Sequence, residues 1–145
     1  MSASAVSVQA DEVRLPVSRA RCAAAAAAVL RAERAARTML SVTFVGRRRI
    51  AAMNRRHLGH AGATDVISFG FRDPAGAILG DVYICPEVAA ANARRFGRPV
   101  REELLRLVIH GTLHVLGHDH PEGEARVMSP MWRRQEALLR RVLAS

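Results

Sequence analysis

The sequence predicts an α+β fold, a small mixed β-sheet packed with about five helices around a central metal-bearing helix. Three observations lead there. Segments of helical periodicity are interleaved with short β-branched, alternating runs. Residues 101–116 are apolar on most sides, through Leu104, Leu105, Leu107, Val108, Ile109 and Leu113, so that helix belongs at the centre of the fold. The same helix carries His110 and His114, four apart and therefore on one face, one turn above the other.

The elements follow in order. Residues 1–5 form a loose start, after which alternating Val6 and Val8 begin an edge strand. Pro16 through Met39 reads as a helix, with Ser18 as its cap and Ala23–Ala28 supplying intrinsic propensity. Leu40–Val45 is β-branched and alternating, a strand broken by Gly46. Arg47–Leu58 follows as a short helix with Ile50, Met53 and His57 on one face and Arg48, Arg49, Arg55 and Arg56 on the other. After a loop at Gly59–Ala63, Asp65–Phe71 and Ile78–Cys85 read as two strands of a hairpin turned at Asp73-Pro74-Ala75-Gly76. Pro86 opens a helix that reaches Phe96 and is ended by Gly97. The central helix spans Arg101–Leu116. Glu122–Ser145 is a final helical stretch with Met128, Met131, Trp132, Leu138, Leu139 and Val142 facing inward, in which Ser129-Pro130 starts a fresh helix as cap and first residue. No repeat or linker divides residues 1–145, so a single domain is expected, burying about two-thirds of its unfolded surface.

Composition narrows the function classes. Half of the residues are hydrophobic, enough for a core without disulfides. Cys22 and Cys85 are far apart and form no C-x-x-C pair, which fits buried thiols in a reducing cytoplasm. Met1–Ala10 lacks the basic start and apolar core of a secretory leader, and Cys22–Leu30 is too short to span a bilayer. The expectation is a cytoplasmic protein with no membrane partner. The net charge is +9 and all 22 basic residues are arginine. An absence of lysine beside abundant alanine is what a GC-rich coding bias produces, but that bias does not explain the excess of positive charge. The excess favours a polyanionic partner, and arginine adds bidentate phosphate recognition. Aromatic residues are only 4%, so base-stacking platforms do not dominate. The stripe of Arg48, Arg49, Arg55 and Arg56 is either a grip on RNA phosphates or a solvated polar face; periodicity alone does not choose.

The densest chemistry lies in His110-Gly111-Thr112-Leu113-His114-Val115-Leu116-Gly117-His118-Asp119-His120. Gly117 sits where a C-cap glycine would end the helix and turn the chain, letting His120 approach His110 and His114. Three neutral imidazoles make an open site for Zn²⁺ with a fourth position left for water, the catalytic rather than the structural arrangement. Such an ion lowers the pKa of its water and polarises phosphoryl oxygens. The spacing H-x3-H-x5-H is also the skeleton of the metzincin peptidases, but their general-base glutamate directly follows the first histidine, where this chain has Gly111. Asp119 either orients a histidine through its second ring nitrogen or caps the turn, roles preferred here to that of a general base.

Residues 110–120 resemble the YbeY family of bacterial rRNA maturation factors, whose pattern is roughly H-G-x-L-H-L-x-G-[YH]-D-H. Met53-Asn54 followed by Ala63-Thr64-Asp65-Val66-Ile67-Ser68-Phe69 is similar to the family's LN…PT[DN]VLSF stretch, and Leu79-Gly80-Asp81-Val82-Tyr83-Ile84-Cys85-Pro86-Glu87 to its LGD…E segment. The resemblance implies a zinc-dependent, single-strand-specific endoribonuclease acting in 16S rRNA 3′-end maturation and ribosome quality control. Its catalytic and metal residues would be His110, His114 and His120, with one Zn²⁺. Its partners would be rRNA and the 30S subunit, joined by a ribosomal protein or GTPase. One position departs from the family: Leu58 stands where an arginine is expected, so Arg55 or Arg56 would have to contact the anionic substrate from a different angle. His118, often tyrosine in the family, is read as a non-ligand. His57 and His60 are read as helix-end residues within reach of the site, Thr64, Asp65 and Ser68 as wall of the cleft, and Cys85 as strand packing. Two other readings compete: a non-catalytic ribosome assembly factor with structural zinc, and a zinc peptidase that recruits its base elsewhere.

Overall fold

The computed structural model describes residues 4–35 and 37–145. Its sheet has four strands, β1 (Ala5–Ala10), β2 (Thr38–Phe44), β3 (Val66–Arg72) and β4 (Ile78–Ile84), in the order β1-β2-β4-β3. β1, β2 and β4 run parallel, and β3 closes the edge antiparallel to β4, so the sheet is mixed as expected. The helices are α1 (Arg19–Ala32), α2 (Arg47–Met53), α3 (Pro86–Arg95), α4 (Val100–Val115) and α5 (Pro130–Ala144). A π-helical turn, Asn54–Leu58, extends α2, and a 3₁₀ segment, Gly123–Met128, precedes α5. Of the loose start expected over residues 1–5, residues 1–3 lie outside the described residues, while Ala5 already pairs in register with Met39.

Helix α1 begins at Arg19 and not at Pro16, because Ser18 is its cap as expected, its hydroxyl accepting from the Arg21 N–H at 3.1 Å. It ends well before the expected Met39. Glu33 caps it, Arg34 adopts a left-handed φ of 49°, and the Ala35 N–H returns to Leu30 O at 3.0 Å. That is the helix-ending geometry glycine usually supplies, made here by arginine, so no residue in the sequence announces the stop. Thr38 and Met39 consequently belong to β2.

Helix α4 packs on the sheet over β3 and β4, with α1, α3 and α5 around it. Leu104, Val108, Ile109 and Leu113 are wholly buried against Val29 of α1, Val42 and Phe44 of β2, Val82 of β4 and Leu138 of α5. Burying each such aliphatic side chain contributes about 2 kcal/mol. The approach of α4 to β4 is close enough that a Cβ on Gly111 would lie 2.5 Å from Val82 Cγ1. On the opposite side of the sheet Ile50 of α2 packs with Val45, Ile67 and Cys85, so Cys85 is a packing residue as expected. Both thiols are buried and free, and burial pushes that of Cys22 up to about 11. Met128, expected to face inward, is 72% exposed, because the 3₁₀ segment carries its side chain away from the core. Among the described residues no helix is long and apolar enough to cross a membrane.

Candidate metal centre

The chain reverses sharply at the end of α4. Gly117 has φ 102°, its N–H bonds His114 O at 2.9 Å, and the His118 N–H bonds Leu113 O at 3.0 Å. This paired closure satisfies the last carbonyls of the helix and favours glycine at the left-handed position. It returns His120 over the face of α4 that carries His110 and His114. The ring centroids are 4.6 Å apart for His110 and His114, 5.1 Å for His110 and His120, and 4.9 Å for His114 and His120. One ring nitrogen from each lies within 4.8 Å of the other two, and among the described residues no further cysteine, histidine or carboxylate joins the group.

Each ring is oriented by an oxygen at Nδ1. His110 Nδ1 meets Gln135 Oε1 at 2.6 Å, His114 Nδ1 meets His118 O at 2.9 Å, and His120 Nδ1 meets Pro121 O at 3.0 Å. The Gln135 amide is held in this sense because its Nε2 donates to Glu136 Oε2 at 3.0 Å. Carbonyl oxygens only accept, so each Nδ1 carries a proton, and in the neutral ring this leaves the Nε2 lone pair free for a ligand. Burial lowers the His110 pKa to about 4 and also lowers that of His114, holding both rings in the neutral form that ligation needs. Three imidazoles that meet their oxygen partners through Nδ1 and leave Nε2 available could hold a divalent ion such as zinc.

Two ionic clusters brace these ligands. Burial disfavours charge on Arg106, but Glu136 at 2.9 Å and Glu103 at 2.7 Å outweigh it and keep the guanidinium protonated; Glu102 adds a contact at 3.2 Å. Arg106 thereby fixes Glu136, which fixes Gln135, which orients His110. On the other side Glu33 bonds His118 Nε2 at 2.5 Å and accepts from Arg134 Nε at 2.7 Å. The end of α1 and the start of α5 thus hold the residue whose carbonyl orients His114.

The histidines open into a cleft of about 570 Å³. Thr64, Asp65 and Ser68 line its wall, as expected. The Asp65 carboxyl is pushed up by burial and hydrogen-bonded by Asn92 Nδ2 at 3.4 Å. His60 lines the cleft too, whereas His57 instead stacks edge-on against Phe69 at 5.4 Å. Asp119 braces the turn: its Oδ1 accepts from the His120 backbone N–H at 2.8 Å, and the histidine Nδ1 atoms have other partners. Arg48, Arg49, Arg55 and Arg56 do not line the cleft, and Arg49 pairs with Asp11 and lies over Tyr83. Leu58 does line it, and the cations there are Arg98, Arg106 and Arg126. Sequence reasoning missed these arginines and Gln135. Only the pairing of α5 with α4 and the position of the 3₁₀ segment bring them to the site.

Known proteins resemble this chain along most of its length. The family model described as endoribonuclease YbeY matches residues 6–143. A protein of Anaeromyxobacter sp. (strain Fw109-5) named endoribonuclease YbeY is 44% identical over 126 residues, 85% of this chain and 62% of the relative. The match thus spans less than two-thirds of that relative's length. One of the same name from Chlorobaculum parvum is 39% identical over 103 residues, 71% of each chain. The solution structure of TM1509 from Thermotoga maritima shares the fold, with a TM-score of 0.63 at 24% identity over 97% of this chain and 90% of that one. The match along nearly the whole chain, with the three histidines inside it, makes this protein a member of the YbeY endoribonuclease family.

Proposed function

We propose that this chain is a zinc-dependent, single-strand-specific endoribonuclease that matures the 3′ end of 16S rRNA and serves ribosome quality control in the cytoplasm. Residues 1–145 would act as one domain whose partners are rRNA and the 30S subunit, with a ribosomal protein or GTPase as a further partner. The observation that carries the reading is the set of free Nε2 donors of His110, His114 and His120, oriented at the floor of an open cleft in a chain of this family. The net charge of +9 suits a polyanionic substrate, and the buried free thiols suit a reducing compartment.

His110, His114 and His120 would hold the ion. When bound, it supplies a Lewis acid for a phosphoryl oxygen and acidifies an attacking water. The remaining work belongs to side chains of the cleft. Asp65, whose carboxyl burial biases towards the protonated form, is suited to hold or release a proton at the wall. Asn54 donates to Gly62 O at 3.0 Å and so fixes the loop that bounds the opening. The peptidase alternative is disfavoured by Gly111, which faces Val82 and not the cleft. The structural-zinc alternative is disfavoured by a three-donor group, since closed structural sites use four ligands.

The test is cleavage of an end-labelled single-stranded 16S 3′-end precursor by the zinc-loaded protein, beside the same sequence annealed to its complement. Cutting of the single strand alone is expected. No cutting of either, by protein that retains zinc and with 30S subunits supplied, would refute the reading.

A further inference from the structure

The cleft that holds the histidines is not uniformly positive. Asp65, Asp119 and Glu122 line it together with Glu103, and a phosphodiester entering it must be compensated by a cation. Two of the three arginines in the lining are already engaged. Arg106 is bound to Glu102, Glu103 and Glu136. Arg98 lies 3.9 Å from Glu103 and against the Phe96 ring. Arg126 differs from both: among the described residues no carboxylate lies within ion-pair distance of it, and its guanidinium rests 5.7 Å from the centroid of the Trp132 ring. It nevertheless lines the same cleft as Asp65 of the wall and His110 of the floor. The 3₁₀ segment that carries it is exposed throughout, so the side chain can turn to a ligand without unpacking the core. Across the cleft Leu58 offers no charge.

We propose that Arg126 is the residue that contacts the scissile phosphodiester or its immediate neighbour, stacked on Trp132 in the free protein and turning onto a phosphate when single-stranded RNA enters. The planar guanidinium suits two phosphate oxygens, and a cation lining the cleft of the histidines would stabilise the charge that builds up at phosphorus. This inference rests on the ribonuclease reading for its chemistry, but its binding half stands by itself.

Arg126→Ala and Arg126→Lys, each zinc-loaded, are compared with the wild type in three measurements. These are zinc per chain by elemental analysis, kcat/KM on the labelled 16S precursor, and binding of a short fluorescein-labelled 2′-O-methyl oligoribonucleotide across a salt series. The alanine variant should keep its zinc and lose about a hundredfold in kcat/KM. Its salt dependence should be shallower by about 0.7 for one lost phosphate contact on a single strand. Lysine should recover part of the binding and less of the rate. If nothing is cleaved by any form but the alanine variant binds the oligonucleotide more weakly with a shallower salt slope, the contact stands and the ribonuclease reading falls. Unchanged binding and cleavage in the alanine variant, or loss of its zinc, overturns the inference.

Discussion

Replacing Gln135 by leucine should weaken the metal site without touching a ligand. Gln135 is 1% exposed and joins His110 Nδ1 to Glu136 through bonds of 2.6 and 3.0 Å. Leucine fills a similar volume but offers no acceptor. The His110 N–H is then buried without a partner, at a cost of about 1–3 kcal/mol to the metal-free protein. The ring also loses its preference for the tautomer that frees Nε2. Losing such an orienting partner lowers metal affinity by about 10–100-fold, equivalent to about 1.4–2.7 kcal/mol. Competition with a fluorescent zinc chelator measures the affinity, and chemical denaturation measures the stability. Gln135→Glu keeps an acceptor oxygen for His110 but sets a second carboxylate against Glu136, so it should bind zinc more tightly than the leucine variant while losing folding stability. A folded leucine variant that binds zinc as tightly as the wild type would show that the Gln135 contact does not set the orientation of His110.

Other consequences are as direct. Gly111→Ala brings a Cβ to 2.5 Å from Val82, and such overpacking should cost about 1–3 kcal/mol. The lowered Tm should be partly restored by Val82→Ala, and an unchanged Tm would mean that α4 sits farther from β4. The Glu136 carboxyl is raised by burial but lowered more by the Arg106 and Gln135 bonds, so its folded pKa lies below the ordinary 4.5. In acid the unfolded chain therefore binds the extra proton first, and the stabilisation is complete above that ordinary value and lost as pH falls through the folded one. Glu136→Gln should flatten the acid limb of the stability curve, and parallel limbs for variant and wild type would count against the Arg106 pairing.

The readings that held from sequence were those set by local chemistry. Gly117 in the eleven-residue histidine segment required the reversal that brings His120 back, and Ser129-Pro130 marked the cap where the Ser129 hydroxyl meets the Trp132 N–H at 3.2 Å. The hairpin turn at Asp73–Gly76 was legible because Asp73 Oδ1 accepts from the Ala77 N–H at 2.9 Å, as aspartate commonly does there. What escaped depends on tertiary contact. The alanine-rich helix carried no stop signal, and its end is instead held by Glu33 against Arg134 and His118. Gln135 is one polar residue in an amphipathic helix until α5 docks beside His110. Periodicity brought out the arginine stripe of residues 48–56, yet a stripe has no address, and the cleft recruits Arg126 from a segment with no periodic signal.

The central claim is that the three-histidine site cuts RNA. Its most direct test pairs wild type with His114→Ala, purified in parallel, for zinc content, folding and cleavage of the single-stranded 16S precursor. The account predicts a folded variant that has lost zinc and cutting together, while the wild type retains both. Equal cleavage by the variant lacking zinc would place the chemistry elsewhere and contradict the account.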